Sequence, residues 1–298
     1  MSTLNPTYDD FRNEHGSWQV RALAFVRSVP VGIWIAAVIL FLFVLAAIVP
    51  SLFESTDPYA TNLLARLQSP SAAHLFGTDQ LGRDMFSRVV AGTRESLLIG
   101  FGATALALLI SLVVGLLAGL GGRFVQGVFS RVIDVLFAFP VLFLALMVVT
   151  VYGASVASTL VAIALGTTAG YARMIRGQLI AVRDAGYVDA ARVNGHPFSK
   201  IVWQHILPNA LRPLIALFTL GIGNSVIWAS ALSFLGLGVP PPSAEWGSLL
   251  DAGRDYVTQA WWLEVIPGLA IVVMAVCVTV LGRHVQARLE GKARTTLL

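Results

Sequence analysis

The chain has 298 residues, 56% of them hydrophobic and only 12% charged, with a formal net charge of +4 and a mean hydropathy of +0.77. Soluble domains carry charge at about 25% of positions, so this composition excludes an ordinary water-solvated surface and points to lipid as the solvent. The basic residues are spread between apolar runs rather than gathered in a patch, which argues against nucleic acid, and the single cysteine, Cys277, excludes an internal disulfide.

In chain order, residues 1–29 are polar and carry Arg12, Arg21 and Arg27 ahead of the first apolar run. A cleaved signal peptide has shorter n- and h-regions, so the first helix is expected to stay in place. Uncharged runs then follow: 26 residues between Arg27 and Glu54, 27 between Glu95 and Arg123, 38 between Asp134 and Arg173, 32 between Arg212 and Glu245, and 18 between Glu264 and Arg283. A helix crosses the hydrocarbon in about 20 residues. The third run is too long for one crossing, and Tyr152-Gly153-Ala154-Ser155 near its middle reads as a turn. Split there, the chain has six transmembrane helices.

Charge placement favours that split. With six spans and both termini cytoplasmic, 15 of the 20 Lys and Arg lie inside and 5 outside. A single crossing by the third run would leave 6 inside and 14 outside, against the bias of basic loops toward the cytoplasm. The expectation is an all-α integral membrane protein with one membrane domain over 30–285, a cytoplasmic N-terminal tail (1–29) and a cytoplasmic C-terminal tail (286–298).

Between the fourth and fifth spans lies YVDAARVNGHPFSKIVWQHILPNA, residues 187–210. Tyr187–Val193 is long enough for two helical turns, and Asn194-Gly195 supplies a left-handed stop. Pro197 suits the start of a second helix, in which Phe198, Ile201, Val202 and His205 recur at i, i+3, i+4 and i+7. Leu207-Pro208 marks entry to the next span. Such a two-faced helical segment can lie on its own bundle or the bilayer, or be gripped by another protein, and the pattern by itself leaves both open.

Two other stretches stand out: HLFGTDQLGRDMFSRV (74–89) and LSFLGLGVPPPSAEWGSLL (232–250). Thr78-Asp79 reads as a cap for a helix beginning near Gln80, with Arg83 and Asp84 solvated. Gly236, Gly238 and Pro240–Pro242 read as the end of the fifth helix, and Trp246, beside Glu245, as an interface anchor. Asp134 is expected to pair with Arg131 three residues earlier, Glu264 and Pro267 to mark a helix entry, and Cys277 to pack mid-span. The pattern G-x-x-x-x-G-K-[ST] is missing, and the five histidines show neither metal spacing nor a partner nucleophile. Neither catalysis nor a metal site is expected.

Together the motifs resemble the dipeptide/oligopeptide/nickel permease family of ABC importers, specifically its second, shorter permease, over about residues 30–285. Asp189-Ala190-Ala191, Gly195 and Leu207-Pro208 resemble the E-A-A…G…I-x-L-P coupling loop, here about 186–208. Asp189 replaces the usual Glu, and His205 stands at an Ile position, as in the H-I-L-P-N variant. The resemblance implies a type I ABC-importer transmembrane domain in the bacterial inner membrane. It assigns Asp189, Ala190, Ala191, Gly195, Phe198, His205, Leu207 and Pro208 to ATPase coupling. Asp79, Arg83, Asp84, Gly236, Gly238 and Trp246 become candidates for a gate or for contact with the binding protein.

The implied partners are a second homologous permease, two ATPase subunits, an extracytoplasmic substrate-binding protein and membrane lipid. ATP and Mg²⁺ would be bound by the ATPases, with no cofactor in this chain. Peptides are the expected cargo, with nickel chelates, glutathione-like molecules and oligosaccharides as alternatives. The competing reading is a self-sufficient ion-coupled secondary transporter using Asp134.

Overall fold

A computed structural model of the protein describes residues 29–289, and every described element is helical apart from an isolated bridge between Thr78 and Asp84. The tail arginines Arg12, Arg21 and Arg27, His15 and the Gly291-Lys292 pair lie outside the described residues. In chain order the main elements are α1 (Val31–Ile48), α2 (Met85–Leu120), α3 (Arg123–Ala138), α4 (Val141–Tyr152) and α5 (Val156–Arg183). They continue with α6 (Gly186–Val193), α7 (Phe198–Ile201), α8 (Leu207–Phe234), α9 (Trp246–Gly253) and α10 (Trp262–Leu289).

Among the described residues, four helical stretches are long and apolar enough to cross a membrane: Val31–Ile48, Met85–Leu120, Phe198–Phe234 and Trp262–Arg288. The expected break in the third run is present. α4 stops at Tyr152, Gly153 takes a left-handed φ of +80°, and the Ser155 hydroxyl accepts from the Ser158 N–H at 3.1 Å to start α5. The two helices flanking that break do not form a pair of straight crossings, however. α4 has 12 residues, about 18 Å of helix, against a hydrocarbon core of about 30 Å. It meets α3 at 89° beside Pro140, which has no N–H for a continuous helix and disfavours helical backbone in Phe139 before it. α5 is long, but its face is interrupted by Thr167, Thr168, Tyr171, Arg173 and Arg176.

The bundle is built around α2, which packs on α5 and α8, while α8 also packs on α10. Without a hydrophobic force between helices in lipid, close approach depends on small side chains and interhelical hydrogen bonds. At Gly100 of α2 an added Cβ would fall 2.5 Å from the Val226 side chain of α8. Thr104 and Ser225 share a hydroxyl hydrogen bond of 2.9 Å across the same seam, and Ser111 Oγ donates to the Thr168 carbonyl of α5 at 2.8 Å. These contacts set two ends for the bundle. One gathers the start of α2, the end of α8 and α9; the other gathers the end of α2, the end of α5 and the 186–208 segment.

Candidate functional site

At the second end, α6 forms one residue earlier than expected and closes as a Schellman cap. Gly195 N–H donates to the Arg192 carbonyl at 2.9 Å and His196 N–H to the Ala191 carbonyl at 3.2 Å, with Gly195 at φ +74°. Pro197 caps α7 from just outside it rather than within its first turn. α7 is not a separate helix either. It runs through a π-helical turn, Val202–Ile206, into α8 without leaving helical backbone. Pro208 lacks the N–H that would continue regular α-helical bonding there; Leu207 N–H donates instead to the Val202 carbonyl, and Asn209 Nδ2 satisfies the His205 carbonyl at 2.7 Å.

This hairpin has two faces. Val188, Ala191, Ile201 and Ile206 are buried in one cluster with Ile175 and Leu179 of α5 and Ala210 of α8, against Leu112, Leu116 and Leu120 of α2. Its outward face carries Val193 at 87%, Phe198 at 56% and Trp203 at 73% exposure. The amphipathic series is thereby divided: Ile201 points into the bundle and Phe198 out of it. Of the other candidates, Ala190, Gly195 and Pro208 are exposed, while His205 and Leu207 are half-buried. Asp189 is exposed and held by Arg192 at 2.6 Å, whose other nitrogen reaches the Arg183 carbonyl at 3.3 Å. His205 lies parallel to His196, ring centroids 6.4 Å apart. Val193 and Trp203 are not singled out by their spacing; their only sequence signal is being large and apolar within a polar stretch.

At the opposite end the sequence expectations need correction. Thr78 and Asp79 do not cap a helix at Gln80. The helix starts at Met85, and Asp84 caps it by accepting from the Ser87 N–H at 2.9 Å. Arg83 and Asp84 are not solvated: both are buried, as is Asp79. Asp79 accepts from the backbone N–H groups of Leu81 and Arg83 at 2.8 and 2.9 Å and from Arg83 Nε at 2.6 Å, while His74 Nδ1 lies 2.9 Å from Asp84.

Trp246 is not an interface anchor. It is fully buried, donating from Nε1 to the Val89 carbonyl at 3.0 Å, with the Phe43 ring edge-on at 5.4 Å. Gly236, at φ +75°, forms a second Schellman cap at the end of α8, and Gly238 folds back against Ser233.

Two organising residues were missed. Arg88 is almost wholly buried and donates to the carbonyls of Pro58 and Ser243 at 3.2 and 3.0 Å, tying together segments far apart in the chain. Glu245, also buried, accepts from the Gly247 and Ser248 N–H groups, each at 2.9 Å, and so begins α9. The acidic cap before an apolar run was the available signal for Glu245; nothing local marks Arg88.

Asp134 pairs with Arg173 of α5 at 3.1 Å, not with Arg131. Their i, i+3 spacing allows contact, but Arg173 is fixed nearby with its guanidinium over Phe137 at 3.9 Å. Asp134 is largely exposed in this chain, whereas an ion-coupling acid is expected inside a bundle or cavity. Cys277 is buried, and Glu264 lies in the first turn of α10, as expected.

Residues 111–294 match the family described as the binding-protein-dependent transport system inner membrane component. The chain belongs to this family. Among its relatives, the dipeptide transport system permease protein DppC of Alkalihalophilus pseudofirmus is 38% identical over 261 residues, 88% of this chain and 86% of that protein. The probable D,D-dipeptide transport system permease protein DdpC of Escherichia coli is 40% identical over 259 residues, 87% of each. A chain of the inward-facing MetNI methionine ABC transporter shares the fold at a TM-score of 0.58 and 18% identity, over 69% of this chain and 97% of that one. The protein is thus an inner-membrane permease component, with its two-faced hairpin at one end of the bundle and a buried polar knot at the other.

Proposed function

We propose that this permease is one of two homologous membrane subunits of an ATP-driven importer of short peptides, and that residues 186–208 are where a separate ATPase grips it. The observation that carries this reading is the division of the hairpin into a face locked to α5 and α8 and a face that leaves Phe198 and Trp203 outside. A displacement imposed on the outer face passes into α5 and α8 as rigid elements, because Ile201, Ile206 and Val188 are packed against both. Those helices end at the turns around Gly153 and Gly236, so motion at one end moves the other.

In this reading the bent α3–α4 pair serves as the third of six crossings, and both termini and the hairpin are cytoplasmic. ATP and Mg²⁺ are held by two ATPase partners, since this chain has no phosphate-cradling loop. ATP binding draws the hairpins together and opens the pathway outward; hydrolysis resets it. A binding protein delivers cargo to the end marked by α9. Peptide cargo is supported by relatives named for dipeptide and D,D-dipeptide transport.

Phe198→Asp tests the grip. In the importer reconstituted with its ATPases and binding protein, ATP hydrolysis stimulated by loaded binding protein should fall at least tenfold, together with uptake, while the permease still reaches the membrane. Wild-type coupling in this variant would overturn the reading.

A further inference from the structure

We infer that the permease carries a binding site for the charged termini of a short peptide at the end of the bundle opposite the hairpin. The inference rests on the peptide-importer reading above. A cavity of about 450 Å³ opens there between the turn after α8, α9 and the 254–256 turn. That volume falls within the roughly 300–1,000 Å³ usual for small-solute sites. Three other cavities, along α1, α2, α3 and α10, expose almost wholly apolar surface. This one mixes apolar residues such as Val239, Pro240 and Pro241 with the polar side chains of Gln80, Ser233, Asp251, Arg254, Asp255 and Tyr256.

Ser233 points independently to a ligand. Its hydroxyl is buried, with the residue 2% exposed, and has no hydrogen-bond partner. One turn earlier Ser230 returns its hydroxyl to the Val226 carbonyl at 2.9 Å, but Ser233 makes no such bond. A buried hydroxyl left unpaired costs free energy that a bound polar group recovers.

The charges define the class of ligand. Arg254 lies 3.9 Å from Asp251 and 4.0 Å from Asp255, too far for hydrogen bonds, so its guanidinium donors remain open to a carboxylate. The two aspartates offer acceptors for an ammonium. An isolated cation would leave the arginine unused, and an isolated anion would leave the aspartates unused. A zwitterion whose ends are about 7 Å apart, as in an extended dipeptide, engages both and leaves its amide for Gln80, Ser233 and Tyr256.

The test uses the complete importer in proteoliposomes with saturating binding protein and radiolabelled dialanine. Arg254 is more than half exposed, so its replacement leaves the fold in place. Arg254→Gln should lower dialanine uptake at least tenfold, Arg254→Lys should recover most of it, and the binding protein's affinity for the vesicles should match that of wild type. Uptake equal to wild type in Arg254→Gln would overturn the site, as would equal losses in the Gln and Lys variants. A parallel loss of binding-protein affinity would also overturn it, making the patch a protein contact. A wild-type importer that carries no dialanine at all would overturn the peptide reading itself, and this ligand with it.

Discussion

Gly195 and Arg88 show how differently two residues hold this chain together. An added Cβ at Gly195 would meet nothing within 4 Å, so only its φ of +74° requires glycine. Gly195→Val should therefore cost about 1–2 kcal/mol of backbone strain and misplace α7 relative to α6 without a clash. Gly195→Asn should be tolerated, because asparagine visits this conformation. Stimulated ATP hydrolysis in the reconstituted importer, several-fold lower for Val than for Asn, is the expected result; equal activity would show that the turn geometry does not matter. Arg88 is fixed by its surroundings instead. Arg88→Ala leaves the Pro58 and Ser243 carbonyls without this donor, while Asp79 keeps Arg83; it should cost roughly 1–3 kcal/mol for each acceptor left unpaired, read as a lowered thermal unfolding midpoint in detergent. Arg88→Lys should recover only part of this, since an ammonium lacks the planar fork that reaches Pro58 and Ser243 together.

At the scale of elements, the hairpin separates stability from coupling. Phe198 and Ile201 are one turn apart and both apolar, yet one is exposed and the other buried. Ile201→Asp places an unpaired charge against Ile175 and Leu179 and should destabilise the permease by about 2 kcal/mol or more, visible as loss of assembled protein. Phe198→Asp should leave the permease folded and inserted and weaken only its coupling to the ATPase. Equal yields of folded, inserted permease for the two variants would show that the hairpin does not pack as described. The existence of this helix–turn–helix was legible in Asn194-Gly195, Pro197 and the i, i+3, i+4, i+7 series, because caps and periodicity are local. Which apolar residue faces inward was not legible, since that depends on where α5 and α8 lie. The same limit explains Asp134: spacing offers Arg131, and only the approach of α5 supplies Arg173.

At the scale of the whole molecule, the proposed topology can be checked directly. Ser243 makes a poor reporter, because its hydroxyl bonds Glu95 and its carbonyl accepts from Arg88. Thr258 and Ser199 are exposed at the two ends of the bundle. In a Cys277→Ser background, Thr258→Cys should react with an impermeant thiol reagent outside intact cells, and Ser199→Cys should not. The reverse pattern would overturn the orientation. Asp134→Asn should retain uptake close to wild type, whereas an ion-coupled transporter would lose it.

Sequence by itself determined the solvent, the helical class, the turn at residues 152–155, the place of the hairpin and the likeness to ABC-importer permeases. Each of these is written in composition or in residues close together along the chain, where hydropathy, capping and backbone preference act. Only the tertiary structure decided that Asp79, Arg83, Asp84, Glu245 and Trp246 are buried, although all sit in polar, turn-rich stretches that read as surface. It also decided that the third apolar run begins as a bent pair. The physical reason is that a buried charge requires partners from distant segments, such as Arg88 joining residues 58 and 243. Those partners become neighbours only when the helices pack.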